Sequence, residues 1–257
     1  MAAPASTEEQ PVVELRDVRL GFGEKEILTG VNLSARKRER LVILGQSGGG
    51  KSTLLRLILG ILKPTGGSVR FHGAEIAKLK RRQLNAIRQR VGMVYQYSAL
   101  ISSLSVRDNL ALPLEELSDK STSEIDAIVE EKLSLVGMVD TLTKMPAELS
   151  GGMKKRIGLA RALVLDPELI LYDEPSAGLD PVTSSVVDDL IISLSEKIEA
   201  TSIIVTHEMD SAFKIATRLA MLYQGTIIAE DTPERFRDHE NPVVAQFVAG
   251  EIEGPIT

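Results

Sequence analysis

The segment that most constrains this chain is LVILGQSGGGKSTLLRLIL, Leu41 to Leu59. It opens on an unbroken apolar run, the pattern of a strand buried on both faces, and closes on an apolar stretch with helical spacing. Between them, Gly45, Gln46, Ser47, Gly48, Gly49, Gly50, Lys51 and Ser52 fit the pattern G-x-x-x-x-G-K-[ST]. Glycines there let backbone N–H groups converge on phosphate oxygens with no Cβ in the way. A helix starting near Lys51 aims the positive end of its dipole at the same anion. Lys51 reaches β- and γ-phosphates, and the Ser52 hydroxyl suits Mg2+. Thr53 follows directly, within reach of the same group. A buried strand feeding such a loop and helix commits the chain to an α/β fold.

The remaining pattern agrees. VGMVY (Val91 to Tyr95), LILY (Leu169 to Tyr172) and SIIV (Ser202 to Val205) are further buried-strand candidates. Helical stretches separate them, with Ile125, Val129, Leu133 and Val136 on one face and Val187, Ile191, Leu194 and Ile198 on another. Strands alternating with helices imply a sheet covered on both sides. Leu219 to Asp231 reads as an antiparallel hairpin turning at Gln224-Gly225. The alternating VVELRDVRLGF suggests an antiparallel meander near the start. From about 97 to 162 helical patterns replace strands, which predicts a helical insert. The basic run Lys78 to Arg90 reads as a solvated helix face.

LILYDEP ends a hydrophobic strand in two carboxylates, and Pro175 stops it. Ligands of parallel sheets sit beyond the carboxyl ends of the strands. Asp173 is therefore expected in the coordination sphere of the Mg2+ that Ser52 touches. Glu174 is expected to polarise a water aimed at the γ-phosphate. A second phosphate cradle, LSGGMKKR, begins at Leu149, although one ATP has need of only one such cradle beneath it.

Composition excludes several classes. Net charge is −6, which offers no global attraction for nucleic acid. The absence of Cys removes disulfides and thiolate metal sites and agrees with a reducing compartment. Aromatic residues make up 4%, so the core must be mainly aliphatic. MAAPASTEEQP has neither a basic nor an apolar region of a secretory signal. The longest apolar run, Leu54 to Leu62, is too short to span a bilayer and contains Arg56. Any membrane contact is expected through partners.

In this order the motifs resemble those of the ATP-binding subunit of ABC transporters, over nearly the whole chain. The resemblance implies a P-loop NTPase (RecA-like) α/β core carrying an antiparallel β-subdomain and an inserted α-helical subdomain. It divides the chain into a disordered lead-in (1–10), an ATPase domain (11–245, insert about 97–162) and a tail (246–257). It places Phe22 on the adenine, Gln96 as the residue sensing Mg2+ and γ-phosphate, and His207 as a switch histidine. Lys51, Gln96, Glu174 and His207 become the catalytic set; Ser52, Gln96 and Asp173 become the metal set. SAGLD (Ser176 to Asp180) matches the D-loop. LSGG then receives a role: Ser150, Gly151 and Gly152 would cover the ATP held by a second copy, packed head to tail.

One position departs from the commoner signature, which ends in Gln where this chain has Met153. LSGGMKKR and the tail QFVAGEIEGPI resemble the ATPases of MCE-type, Mla-like phospholipid transporters. That branch implies integral membrane permease subunits, an MCE lipid-binding subunit and a peripheral place on the cytoplasmic face of the bacterial inner membrane. The tail is expected to reach toward the neighbouring ATPase. Leu100, Ile101 and Leu104, after Gln96, are expected to line the permease docking groove or to fill the insert's own core. Met153 is expected to pack against the insert. Two other readings stand beside this one: the ATPase of an importer for amino acids or other small molecules, and a soluble ABC ATPase outside transport. Neither a long coiled coil nor a second cassette is present to favour the latter.

Overall fold

The computed structural model describes residues 10–256; residues 1–9, which make up nearly all of the expected lead-in, lie outside the described part, as does Thr257. Its centre is a six-stranded sheet of β3 (Arg40–Leu44), β6 (Val91–Val94), β7 (Leu169–Asp173), β8 (Thr201–Thr206), β9 (Arg218–Tyr223) and β10 (Thr226–Asp231). The spatial order is β10-β9-β3-β8-β7-β6, all parallel except the final hairpin strand. The hairpin turns at Gln224-Gly225 as its sequence predicts.

Strand alternation explains the layering. Val42, Leu44, Ile170, Tyr172 and Ile204 point into one core, with helices α3 (Val106–Leu117), α4 (Thr122–Leu135), α5 (Gly151–Ala162) and α6 (Pro181–Ile198). Leu41, Ile43, Leu169, Leu171, Ile203 and Val205 point into the other, with α1 (Lys51–Ile58) and a second sheet. Both faces are apolar, so these strands read as continuous hydrophobic runs. Aliphatic side chains dominate both cores, with Tyr172, Phe71 and Phe236 among the largest fully buried.

The second sheet contains β1 (Val13–Phe22), β2 (Lys25–Ala35), β4 (Gly66–Phe71) and β5 (Ala74–Glu75). Its order is β2-β1-β4-β5, all antiparallel. This differs from the simple meander suggested by the sequence. The chain leaves β2 for the central sheet and returns only at β4, which pairs with the free edge of β1. The sheets are pinned together: Thr29 N–H donates to Gly225 O at 2.8 Å, and Arg218 binds Glu39 at 2.8 Å and also Glu230 and the Ser34 carbonyl. Helix α2 (Arg81–Gln89) carries the basic run; Lys80, Arg81 and Arg82 are exposed.

Between β6 and β7 the described chain holds helices and turns without a strand. Local signals start these helices. Ser121 and Glu124 form a reciprocal cap on α4, and Asp180 accepts from Val182 and Thr183 N–H at 3.1 Å before Pro181 opens α6. The chain closes with α7 (Met209–Ile215), α8 (Pro233–Arg237) and α9 (Pro242–Ala249). The tail folds back on α9. Gln246, 4% exposed, accepts from Ile256 N–H at 2.7 Å and donates to Glu251 O at 3.1 Å, leaving Ile252 96% exposed.

The sheet edge meets α5 closely at Gly92, where an added Cβ would lie 2.5 Å from Ala162 O and 3.2 Å from Pro167 Cγ. Gly92→Ala should therefore cost about 1–3 kcal/mol by overpacking. Urea unfolding with an unchanged m-value checks this.

Candidate functional site

Parallel register brings three loops to one rim. Leu44 pairs with Thr206 and Asp173 with Val205, so the chain leaves β3, β7 and β8 at one level. The phosphate-type loop fills the first exit. Gly50, at φ 99°, caps α1 in a left-handed conformation that a side chain would strain. Gly50 has no side chain with which to cap this helix start, so its first N–H groups are available to an anion.

Lys51 folds back over the loop, donating to Gly45 O at 2.8 Å and Gln46 O at 3.0 Å. It is 6% exposed and lies 3.6 Å from Glu174 Oε1. Burial pushes its pKa down, and the Glu174 carboxylate opposes that shift. Ser52 Oγ donates to Asp173 Oδ1 at 2.7 Å, so a hydroxyl and a carboxylate converge from different loops. Two such oxygens are the hard donors that Mg2+ takes from protein when substrate phosphates and waters supply the rest. Among the described residues no group of three or more His, Cys, Asp or Glu is placed to hold a metal ion by itself.

Glu174 sits at φ 49°, a left-handed backbone that costs a non-glycine residue on the order of 1–2 kcal/mol. Several contacts hold it. Its N–H donates to Val205 O at 2.9 Å, extending the ladder one residue past β7. His207 Nδ1 is 2.9 Å from Glu174 Oε1, and His207 N–H donates to Oε2 at 3.3 Å.

Ser47, Gly48, Gly50, Lys51, Ser52, Thr53, Gln96, Glu174 and His207 line one cavity of about 200 Å³. Gly45, Gln46 and Gly49 form the loop behind it, Asp173 stands against Ser52, and Phe22 is 56% exposed at the end of β1, outside the lining. Ser150, Gly151 and Gly152 do not line it either. Ser150 Oγ caps α5 by accepting from Met153 N–H at 3.3 Å, while Gly151 and Gly152 lie against Leu179 and Thr183. Met153 packs partly buried against the helical core, as expected.

Sequence reading missed three residues on α5. Lys155 donates to the carbonyls of Gln96 and Glu174, Gly158 lies against Ser98, and Arg161 donates to Ser98 O at 2.8 Å and Ala99 O at 2.7 Å. The spacing i, i+3, i+6 puts them along one helix face. The available signal was a helix with four cations and no acid, Lys154, Lys155, Arg156 and Arg161, of which the buried Lys155 and half-buried Arg161 need acceptors elsewhere.

A buried polar chain lies beside the rim. Ser176 Oγ is 3.3 Å from Ser211 Oγ, which donates to Asp188 Oδ2 at 2.8 Å; Asp188 Oδ1 has no hydrogen-bond partner among the described residues. Burial pushes the Asp188 pKa up, against the Ser211 hydrogen bond and the Lys214 charge.

The family model described as ABC transporter matches residues 28–177. The intermembrane phospholipid transport ATP-binding protein MlaF of Haemophilus influenzae is 39% identical over 96% of this chain and 94% of its own. A Mycobacterium tuberculosis protein described as a "probable ribonucleotide transport ATP-binding protein" is 41% identical over 98% of this chain and 71% of its own. Among solved structures, a dimeric ATP-binding cassette in a post-hydrolysis state with ADP and Pi aligns at TM-score 0.78 and 32% identity, covering 86% of this chain and 98% of that one.

The folded state favours a protonated Asp188, so its contribution is fully favourable below the ordinary carboxylate range and is lost as pH rises through that range toward the raised value. Asp188→Asn cannot ionise. Between about pH 4 and pH 7, the variant should therefore gain stability relative to the parent. Chemical unfolding at the two pH values checks the sign.

Proposed function

The chain belongs to the ABC transporter family and is an ATPase; on that premise we propose that it powers an MCE/Mla-type system moving phospholipids between membranes, as an ATP-sandwich dimer with a second copy of itself. The observation that carries this is the convergence of Lys51, Ser52, Gln96, Glu174 and His207 on one cavity that Ser150 does not line. A half-site in each copy, completed by the helix start at Ser150 of the other, accounts for two cradles in one chain. Such an interface is two-fold symmetric.

In this reading the phosphate-loop N–H groups and Lys51 bind the β- and γ-phosphates. Arriving phosphate oxygens compete with Glu174 for Lys51, which frees the carboxylate. Ser52 and Asp173 would hold Mg2+, which when bound neutralises charge on those phosphates. Glu174 takes a proton from the attacking water. The water oxygen bonds to γ-phosphorus as the bond to the β–γ bridging oxygen breaks, and ADP and phosphate leave. His207 fixes both carboxylate oxygens of the base, Gln96 reports the γ-phosphate, and Phe22 stacks on adenine. Swinging the dimer from 1:99 to 99:1 closed requires about 5.5 kcal/mol of differential binding, within reach of two charge-assisted phosphate clamps.

For the permease, the groove of about 280 Å³ between β6, α3 and α5 is the proposed docking site. Tyr95, Ile101 and Pro113 line it; Ile101 is 40% exposed, whereas Leu100 packs into the helical core. Among the described residues no helix is long and apolar enough to cross a membrane. We place the chain peripherally on the cytoplasmic face of the bacterial inner membrane, held by permease subunits alongside an MCE lipid-binding subunit. The 94% coverage of MlaF supports phospholipid as cargo, and the exposed Ile252 supports a contact between the tail and the second copy.

Glu174→Gln should keep ATP binding, lose at least about 100-fold in turnover and trap a stable ATP-loaded dimer, read by size-exclusion chromatography. Unchanged turnover would remove Glu174 as the base. Lys51→Ala should lose nucleotide binding itself, measured with a fluorescent ATP analogue. Ser150→Ala should lower turnover much more than Met153→Gln does; the reverse order contradicts the sandwich. The proteins retained through detergent extraction test the cargo: an MCE subunit among them supports phospholipid, and a small-molecule permease without one replaces it.

A further inference from the structure

Lys155 is 7% exposed, yet its ammonium is aimed at two backbone carbonyls from distant parts of the chain. One belongs to Gln96, the first residue of the loop after β6 that lines the cavity; the other, at 3.3 Å, belongs to Glu174. Burial pushes its pKa down, and the charges of Glu208 and Glu174 hold it up. A buried cation is an expensive way to hold a helix in place. Its position suggests what it does instead.

We propose that Lys155 is a positioning residue that couples the signature helix α5 to Gln96 and Glu174 of its own site, so that seating the Ser150 end on the second copy's nucleotide sets the base. The inference rests on the roles given above to Glu174 and Gln96.

Ser150 and Lys155 are five residues apart, about 7.5 Å along one rigid helix. Any shift of the helix start therefore moves the ammonium with it. Gly158 and Arg161 carry residues 98–99 along the same helix face, and the hydrogen bonds of Arg161 go to that loop. Lys155 joins that loop to the catalytic strand end. Glu174 needs such a hold, because its backbone is left-handed at φ 49° and its carboxylate direction follows from that backbone. Charge-assisted donation to its carbonyl fixes the peptide whose rotation would swing the carboxylate off line.

The test uses the full chain. Lys155→Met keeps an unbranched chain only one bond shorter and removes the donors; Lys155→Arg keeps donors and charge. For Lys155→Met we expect ATP affinity and KM within about threefold of the parent and kcat lower by on the order of tenfold or more. Lys155→Arg should recover kcat to within about threefold. In a Ser150→Ala background, Lys155→Met should lower kcat by much less than it does alone, because both act on one step. If Lys155→Met does not fold, as judged by its melting transition, Lys155→Leu, which is shorter and also carries no donor, takes its place with the same expectations. A kcat within twofold of the parent, an equal loss in the Met and Arg variants, or full additivity with Ser150→Ala overturns the proposal. Glu174→Gln run in parallel separates the failures. If it abolishes turnover while Lys155→Met leaves it intact, only this inference falls; if it retains turnover, the reading of the site falls first.

Discussion

The register of β3, β8 and β7 is the constraint on which the site depends. Each strand rises about 3.3 Å per residue and turns successive side chains to opposite faces. A slip of one residue between β7 and β8 would put Asp173 on the wrong face and carry it away from Ser52. The register is held from both sides, because alternate residues of the same strands belong to two different cores. The sandwiching of this sheet between helices and a second sheet is thus what keeps a hydroxyl and a carboxylate 2.7 Å apart across 121 residues of chain.

Charge at the rim is arranged so that each ion is held without being satisfied too well. Lys51 is compensated partly by loop carbonyls and partly by Glu174, neither as strong a partner as a polyphosphate. Glu174 in turn shares its oxygens with Lys51 and His207. Polar groups fixed before the substrate arrives need little rearrangement afterwards, which is where enzymes gain most of their electrostatic advantage.

Local chemistry was legible in the sequence, and long-range pairing was not. The phosphate-type loop could be read because its strand, glycines, lysine and helix are contiguous. The faces of α4 and α6 could be read because burial follows the helical period: Val129 and Ile191 are both fully buried. The order of the antiparallel sheet could not, since β4 pairs with β1 after a detour through the central sheet. Leu100 and Ile101 looked alike in sequence, yet one packs inward and the other stays 40% exposed. Lys155 escaped notice because its acceptors are main-chain carbonyls 59 and 19 residues away, and a carbonyl has no letter in the sequence.

The fold-back of the tail on Gln246 has a consequence of its own. One amide side chain bonds to both ends of a short arc, from Glu251 to Ile256, and closes it into a small loop with Ile252 at its crest. Chain that is already tied at both ends has surrendered most of its disorder. Whatever surface the crest meets therefore receives a stiff knob and not a loose string, and even a modest apolar contact there can be held at little entropic cost.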